Sequence, residues 1–529
     1  MIYTKKKTLA LLILMKMIRR FYLMMISWAA MLPMMGQEEN DGSLLNGLDY
    51  KVEVQSSVSE GNTPLWLNAN KHGLSSLRSF NGYLRGAIER PLSNDSMRQW
   101  GVGYALDLIA PLHYSSDMIV QQAYAELRWK KGVLTLGSKE WPMELKDNLL
   151  SSGSQTLGIN ARPVPQLRVA LPDYWALPLL GGWVHLKGHI AYGVATDGGW
   201  QQRFVGKEGR YVSHQLYHSK AGYLRIQKPQ SPLSIELGLE MAAQFGGTGH
   251  NVITDKGERV DIQGGHRLKD YFYAFIPGGN AEGQNAFLNV EGNHLGSWVA
   301  RIGYDADHFS LAVYADKFFE DHSGMFLLDY NGYESKNMER KQKSFVLYKL
   351  KDIMLGVELQ LKDCRWLNKV VGEYLYSKYQ SGPVYHDHTE MVPDHVGGID
   401  NYYNHYFYTG WQHWGQVIGN PLYMSPIYND SHSVEVRNNR FCAFHLGFDG
   451  QPLPQLYYRM LLTYQEGLGT YAAPYTRVKD FVGSMVEVRY MLPKGWSVKG
   501  ACGMDFGKLY GRNSGIQLSI CKRGLLKGK

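Results

Sequence analysis

Apolar and polar residues alternate with a period of two along most of this 529-residue chain. In residues 100–110 (WGVGYALDLIA), Trp100, Val102, Tyr104, Leu106 and Leu108 fall on one face, and Gly101, Gly103, Ala105 and Asp107 on the other. In residues 235–244 (IELGLEMAAQ), Ile235, Leu237, Leu239 and Met241 oppose Glu236, Gly238, Glu240 and Gln244. Residues 442–449 (CAFHLGFD) and 515–522 (GIQLSICK) repeat the pattern. A period of two marks strands. These segments run about nine to twelve residues, the length a tilted strand needs to cross a bilayer. After residue 36 no run of eighteen apolar residues occurs, so no spanning helix is expected there.

Connection lengths sharpen this reading. Seventeen strands read directly from the pattern, from 50–59 to 514–522. Some connections are very short (Lys131–Gly132, Ala306–His308, Gln451–Pro454, Leu492–Gly495), and others are long (246–295, 320–350, 378–440). In a membrane barrel short turns and long loops alternate, because they lie at opposite ends. The alternation fails only across 140–182. A further strand at 165–171 (PQLRVAL) restores it and brings the total to eighteen. The predicted fold is an all-β antiparallel transmembrane barrel of about eighteen strands, with short periplasmic turns, long extracellular loops and both termini periplasmic.

Residues 1–36 read as a signal peptide: Phe21–Met35 is apolar behind Arg19 and Arg20. Residues 37–529 read as a single barrel. The formal charge of +8 belongs mostly to the leader, which holds six basic residues and no acid and leaves 50 basic against 48 acidic residues in the remainder. That balance gives no support for nucleic-acid binding. The four cysteines (Cys364, Cys442, Cys502, Cys521) match no metal spacing; a Cys502–Cys521 bond and free thiols on apolar faces both fit the sequence. Inward acids (Glu236, Glu240, Glu358, Glu373) and bases (Arg301, Arg459, Arg489) predict a lumen filled by ion pairs more readily than a conducting pore.

Residues 401–421 (NYYNHYFYTGWQHWGQVIGNP) fall in the longest connection, on the outer side. Sugars present C–H faces to aromatic rings and hydroxyls to polar groups, and Tyr and Trp supply area with a polar tip. Tyr402, Tyr403, Tyr408, Trp411 and Trp414, with His405 and His413 among them, are therefore candidate glycan contacts; the competing reading has these rings packing the loop onto the rim. Asn293, His294, Asp321, His322, Tyr385, His386 and Asp387 are further outer-loop candidates. The cluster of His386, Asp387 and His388 lacks the spacing of a metal site, and EDHSG (320–324) lacks the geometry of a hydrolase triad, so no metal, cofactor or catalytic residue is assigned.

Several stretches carry a family likeness: NTPLWLNANKHGLSS (62–76), NARPVPQLR (160–168), EGNHLGSW (291–298), FEDHSGM (319–325), QSGPVYHD (380–387), YYNH (402–405), GWQHWG (410–415) and IGNPL (418–422). In combination they resemble the capsule assembly Wzi family of outer-membrane barrels. The resemblance implies an eighteen-stranded barrel that acts as a lectin, holds capsular polysaccharide on the cell surface and is not an enzyme. The expected partners are capsular or other surface polysaccharide, outer-membrane lipid and, during biogenesis, the barrel assembly machinery, and a monomer is expected. A porin or polysaccharide export channel is the alternative.

Overall fold

The computed structural model describes residues 47–178, 180–254, 256–276, 292–320, 325, 328–330, 343–345, 351–385 and 396–526. The barrel strands, numbered in chain order, begin with β1 Asp49–Glu60, β2 Phe80–Arg90, β3 Trp100–Leu112, β4 Ile119–Trp129, β5 Gly132–Ser138 and β6 Gln166–Ala176. They continue with β7 Val184–Val194, β8 Leu216–Ile226, β9 Leu233–Phe245, β10 Asn293–Asp305, β11 Phe309–Glu320 and β12 Ile353–Leu361. The last six are β13 Lys369–Tyr376, β14 Phe441–Leu453, β15 Leu456–Gly469, β16 Pro474–Leu492, β17 Trp496–Gly507 and β18 Asn513–Leu525. Each strand pairs antiparallel with the next, and β1 pairs with β18 from Asp49↔Leu525 to Glu60↔Ser514, closing an eighteen-stranded barrel. The strand at 165–171 that only the alternation of connections demanded is β6. Closure leaves no free sheet edge, which a spanning sheet requires.

Alternation maps onto the two faces of the wall. On β1, Val52, Val54 and Val58 are exposed while Glu53, Gln55 and Ser57 are buried in the lumen. Leu237 is 50 % exposed on β9, with Glu236 and Glu240 buried beside it. Trp100, Trp129, Trp175, Trp183 and Trp496 are all exposed at the short-turn end, forming the aromatic girdle of a barrel at a lipid–water interface. Inside, ion pairs line the lumen: Arg301 pairs with Glu358 at 3.1 Å as expected, while Arg459 pairs with Glu487 at 3.2 Å and Arg85 with Asp107, two acids that the pattern does not single out as inward partners. The four cysteines are free thiols. Cys502 lies outward opposite Ile516 and Cys521 is buried in the lumen wall, so the two sit on opposite faces and form no disulfide.

Connections from the long-loop end fold back into the lumen. The segment 139–165 is mostly buried from Leu150 onward. It is tied to the wall by a fully buried Lys146–Asp316 ion pair at 2.7 Å, by the Gln155 amide donating to Asp316 at 3.1 Å, and by Ser151 and Ser152 donating to Glu373 at 2.5 and 2.7 Å. The connection 61–79 enters as a short helix, α1 Leu65–Asn68. Its Leu65 amide donates to Asp505 at 2.9 Å and its Trp66 indole to Thr463 at 3.0 Å. Leu65, Trp66, Leu150, Phe318, Tyr403, Trp411 and Tyr423 share one hydrophobic cluster within the barrel.

Candidate outer-face cleft

The aromatic stretch 401–421 lies within this filling. Tyr402, Tyr403, Tyr408 and Trp411 are fully buried. The Tyr403 hydroxyl donates to the Gln155 carbonyl and accepts from the Asn420 amide at 3.0 Å, and its ring lies 4.1 Å from that of Tyr423. Trp411 stacks on Tyr217 of β8, with centroids 5.8 Å apart. These four rings present no face to an outside ligand, which corrects the expectation of a ring-lined glycan surface: area with a polar tip suits a wet core as well as a sugar. Trp414 is half-buried beneath the Arg162 guanidinium, 4.2 Å from its ring centre.

The two histidines of the stretch hold backbone. His413 contacts the Arg162 and Thr196 carbonyls at 2.8 and 3.1 Å, and burial lowers its pKa. His405 is half-buried, and its Nδ1 accepts from the Phe407 and Tyr408 amides at 3.0 and 3.1 Å. Burial pushes His405 down to about 3, with the Arg210 guanidinium adding to the effect. Asn293 is buried in the wall and donates to Gln244 at 2.9 Å; His294 is buried against the Tyr273 carbonyl at 3.0 Å. Neither meets the outer solvent, so both are corrected as ligand contacts. Tyr385 ends a short strand, Ser381–Tyr385, while Asp321, His322, His386 and Asp387 lie outside the described residues.

What the stretch supports lies above it. A three-stranded sheet of Tyr211–Ser213, Thr248–Ile253 and Arg259–Gln263 caps the outer side of the barrel. Its underside packs Val212 and Val252 on Phe407 and Tyr408, and the Tyr406 hydroxyl donates to the Ile253 carbonyl. Beside this sheet lies a helix, α2 Trp200–Val205. Between them opens a cleft of about 380 Å³ lined by Gln202, Arg203, Gly206, Lys207, Tyr211, His250, Asn251 and Asp261.

Tyr211, His250, Asn251 and Asp261 are held in place. The His250 ring stacks on Tyr211 at 4.5 Å, and its nitrogens contact Asp261 at 2.8 Å and Ser213 at 2.9 Å. The hydrogen bond from His250 holds the Asp261 carboxyl below its ordinary pKa, and the Asn251 amide at 3.2 Å adds to this. Asn251, at φ +55°, donates its side chain to the Lys207 and Gly209 carbonyls at 3.1 and 2.9 Å, fixing the turn that carries Lys207. Arg203 and Lys207 are exposed. The cleft therefore offers an amide oxygen, a carboxylate, two cations and the edge of a stacked ring pair, a donor and acceptor set suited to hydroxylated ligands. No residue of this cleft was singled out in the sequence. The available signal was a hairpin, HNVI and RVDIQ about a turn at Gly257, inside a connection read only as loop.

A second concavity of about 280 Å³ lies inside the wall between the 139–165 segment and β6 to β9. There Arg168 covers the Trp141 ring at 3.9 Å and Lys187 pairs with Glu144 at 2.8 Å.

Among solved structures, the chain is similar to Wzi of Escherichia coli, described as an outer-membrane protein involved in group 1 capsule assembly and a carbohydrate-binding β-barrel. The TM-score is 0.53 at 13 % identity, over 89 % of this chain and 83 % of that one. It also aligns with OccK3 of Pseudomonas aeruginosa (TM-score 0.43, 11 % identity, 91 % and 97 % coverage) and OccK8 of the same organism (0.43, 8 %, 91 % and 98 %). The chain has the fold of an outer-membrane β-barrel. No family profile and no curated protein sequence matches it.

Proposed function

We propose that this barrel binds glycan at the cell surface and holds capsular or related polysaccharide there by non-covalent contact, without catalysis. The observation that carries this reading is the outer cleft of Arg203, Lys207, Tyr211, His250, Asn251 and Asp261, set on a lumen that folded connections fill. The motif resemblance to the Wzi family supports it, as does the carbohydrate binding ascribed to the similar E. coli barrel. A filled lumen argues against the alternative of a porin or export channel, which would need the plug to be displaced. Each glycan repeat would bind weakly, and many repeats of one polymer engaging many barrels would raise the attachment by avidity.

The test is made in cells. A strain carrying Arg203→Ala, Lys207→Ala and Asn251→Ala together should shed polysaccharide into the medium while barrel level and heat-modifiable migration stay at the parental value. Parental retention of polysaccharide by that folded variant would remove the cleft from the account. Parental retention by a deletion strain would remove the function itself.

A further inference from the structure

A third helix, α3 Leu268–Phe275, lies on the outside of the barrel. The register shows this. On β9 the outward positions are the odd ones, as the exposure of Leu233 and Leu237 establishes, yet Ala243 and Phe245 further along that face are fully buried. What covers them is α3: its Ala274 and Tyr271 pack on Ala243, Phe245 and Tyr192. Residues opposed across an antiparallel ladder share a face. His218 and His294 flank Ala243, and Lys220 flanks Met241, so all three point outward as well. Three polar side chains thus stand on a wall that faces lipid elsewhere.

The helix covers them. The Tyr273 carbonyl accepts from His294 at 3.0 Å, and the Phe275 carbonyl accepts from Lys220, whose ammonium also sits 4.4 Å from the Phe275 ring centre. The Tyr192 hydroxyl donates to the Tyr271 carbonyl at 2.9 Å. The Tyr273 and Phe275 carbonyls stand at the helix end, beyond the last intrahelical acceptor, and the Lys220 cation suits that end of the dipole. On the opposite side of α3, Leu268, Phe272 and Ile276 form one stripe at i, i+4 and i+8, exposed by 89, 57 and 49 %. Next to the covered patch lies the apolar belt: Ile190, directly opposite Lys220, is exposed, and so is Leu224 further along β8.

We infer that α3 is an extramural membrane-contact helix that hides a polar patch of the wall and presents Leu268, Phe272 and Ile276 to the acyl chains of the outer leaflet at the headgroup boundary. Continuity with the lipid-facing belt decides the occupant. Lys269 beside the stripe is exposed and reaches toward headgroup phosphates, as lysines at interfaces do.

The test uses the purified full chain in phosphatidylcholine vesicles that contain a lipid with a photoactivatable diazirine on its acyl chain. After irradiation, adducts are mapped by peptide mass spectrometry. The α3 stripe should be labelled to a level comparable with Leu237, and about tenfold above the exposed outer-loop residue His432. Labelling of the stripe no higher than that of His432, with Leu237 labelled, would overturn the inference. So would adducts that disappear as the protein-to-lipid ratio is raised, which would assign the stripe to contact between copies of the chain.

Discussion

Trp411 shows at the scale of one residue what the aromatic stretch does. It is fully buried against Tyr217 on the lumen wall, so Trp411→Ala removes a large core ring. A change of this kind costs about 3–5 kcal/mol, and a chemical-denaturation series on the refolded barrel should show a loss of that size. Gly419 is as tightly set. A Cβ there would stand 2.0 Å from the Tyr403 hydroxyl and 2.3 Å from the Gln155 carbonyl, so Gly419→Ala should lower the yield of folded barrel. His405 supplies a pH dependence. Its folded pKa of about 3 lies below the ordinary 6.5, so between these values the unfolded segment binds more protons than the folded one. Stability in this segment is therefore full above about pH 6.5 and declines as pH falls toward 3. Hydrogen exchange of the Phe407 and Tyr408 amides should speed up as pH falls through that window, relative to the intrinsic rate, and His405→Phe should flatten the dependence. Rings and imidazoles in a polar stretch fit burial and ligand contact equally well. The sequence alone does not say which, because the choice depends on connections far apart in the chain meeting in one lumen.

Elements were easier to read. All eighteen strands lie where the alternation and connection lengths put them, since a wall between lipid and a polar lumen forces a period of two on every strand. Misreadings sit in the connections, where no single face is imposed. The hairpin 248–263 and the inward course of 139–165 both passed as loop. The wall also yields a prediction. Leu237→Arg or Leu446→Arg places a charge in lipid and should cost about 2–4 kcal/mol near the midplane, read from folding into vesicles. Gly238 and Gly447 are unsuitable lumen controls, because a Cβ would meet Tyr223 at 2.4 Å in the first case and the Leu150 carbonyl at 2.4 Å in the second. Ser497, half-buried on the lumen side opposite Cys521, is a better one, and Ser497→Arg should cost under about 1 kcal/mol. Equal losses at the lipid and lumen positions would contradict the assigned faces.

At the scale of the whole molecule, three layers depend on one another: an apolar-belted wall, a lumen packed by inward connections, and an outer sheet resting on that packing. The resemblance motifs 62–76, 160–168 and 418–422 lie largely in the packing, where Asn68, Asn160 and Asn420 are buried. They mark how the barrel is filled more than where a ligand would sit. A filled barrel should give no stable conductance steps in a planar bilayer. The central claim, glycan binding at the outer cleft, is tested most directly by immobilising the polysaccharide purified from the parent strain and measuring capture of the purified barrel in detergent. Dose-dependent capture is predicted, weakened about tenfold or more by Tyr211→Ala with Asn251→Ala, the size of loss expected for a lost ring contact and hydrogen bond. Absence of capture, or capture unchanged by those substitutions in a folded barrel, would contradict it.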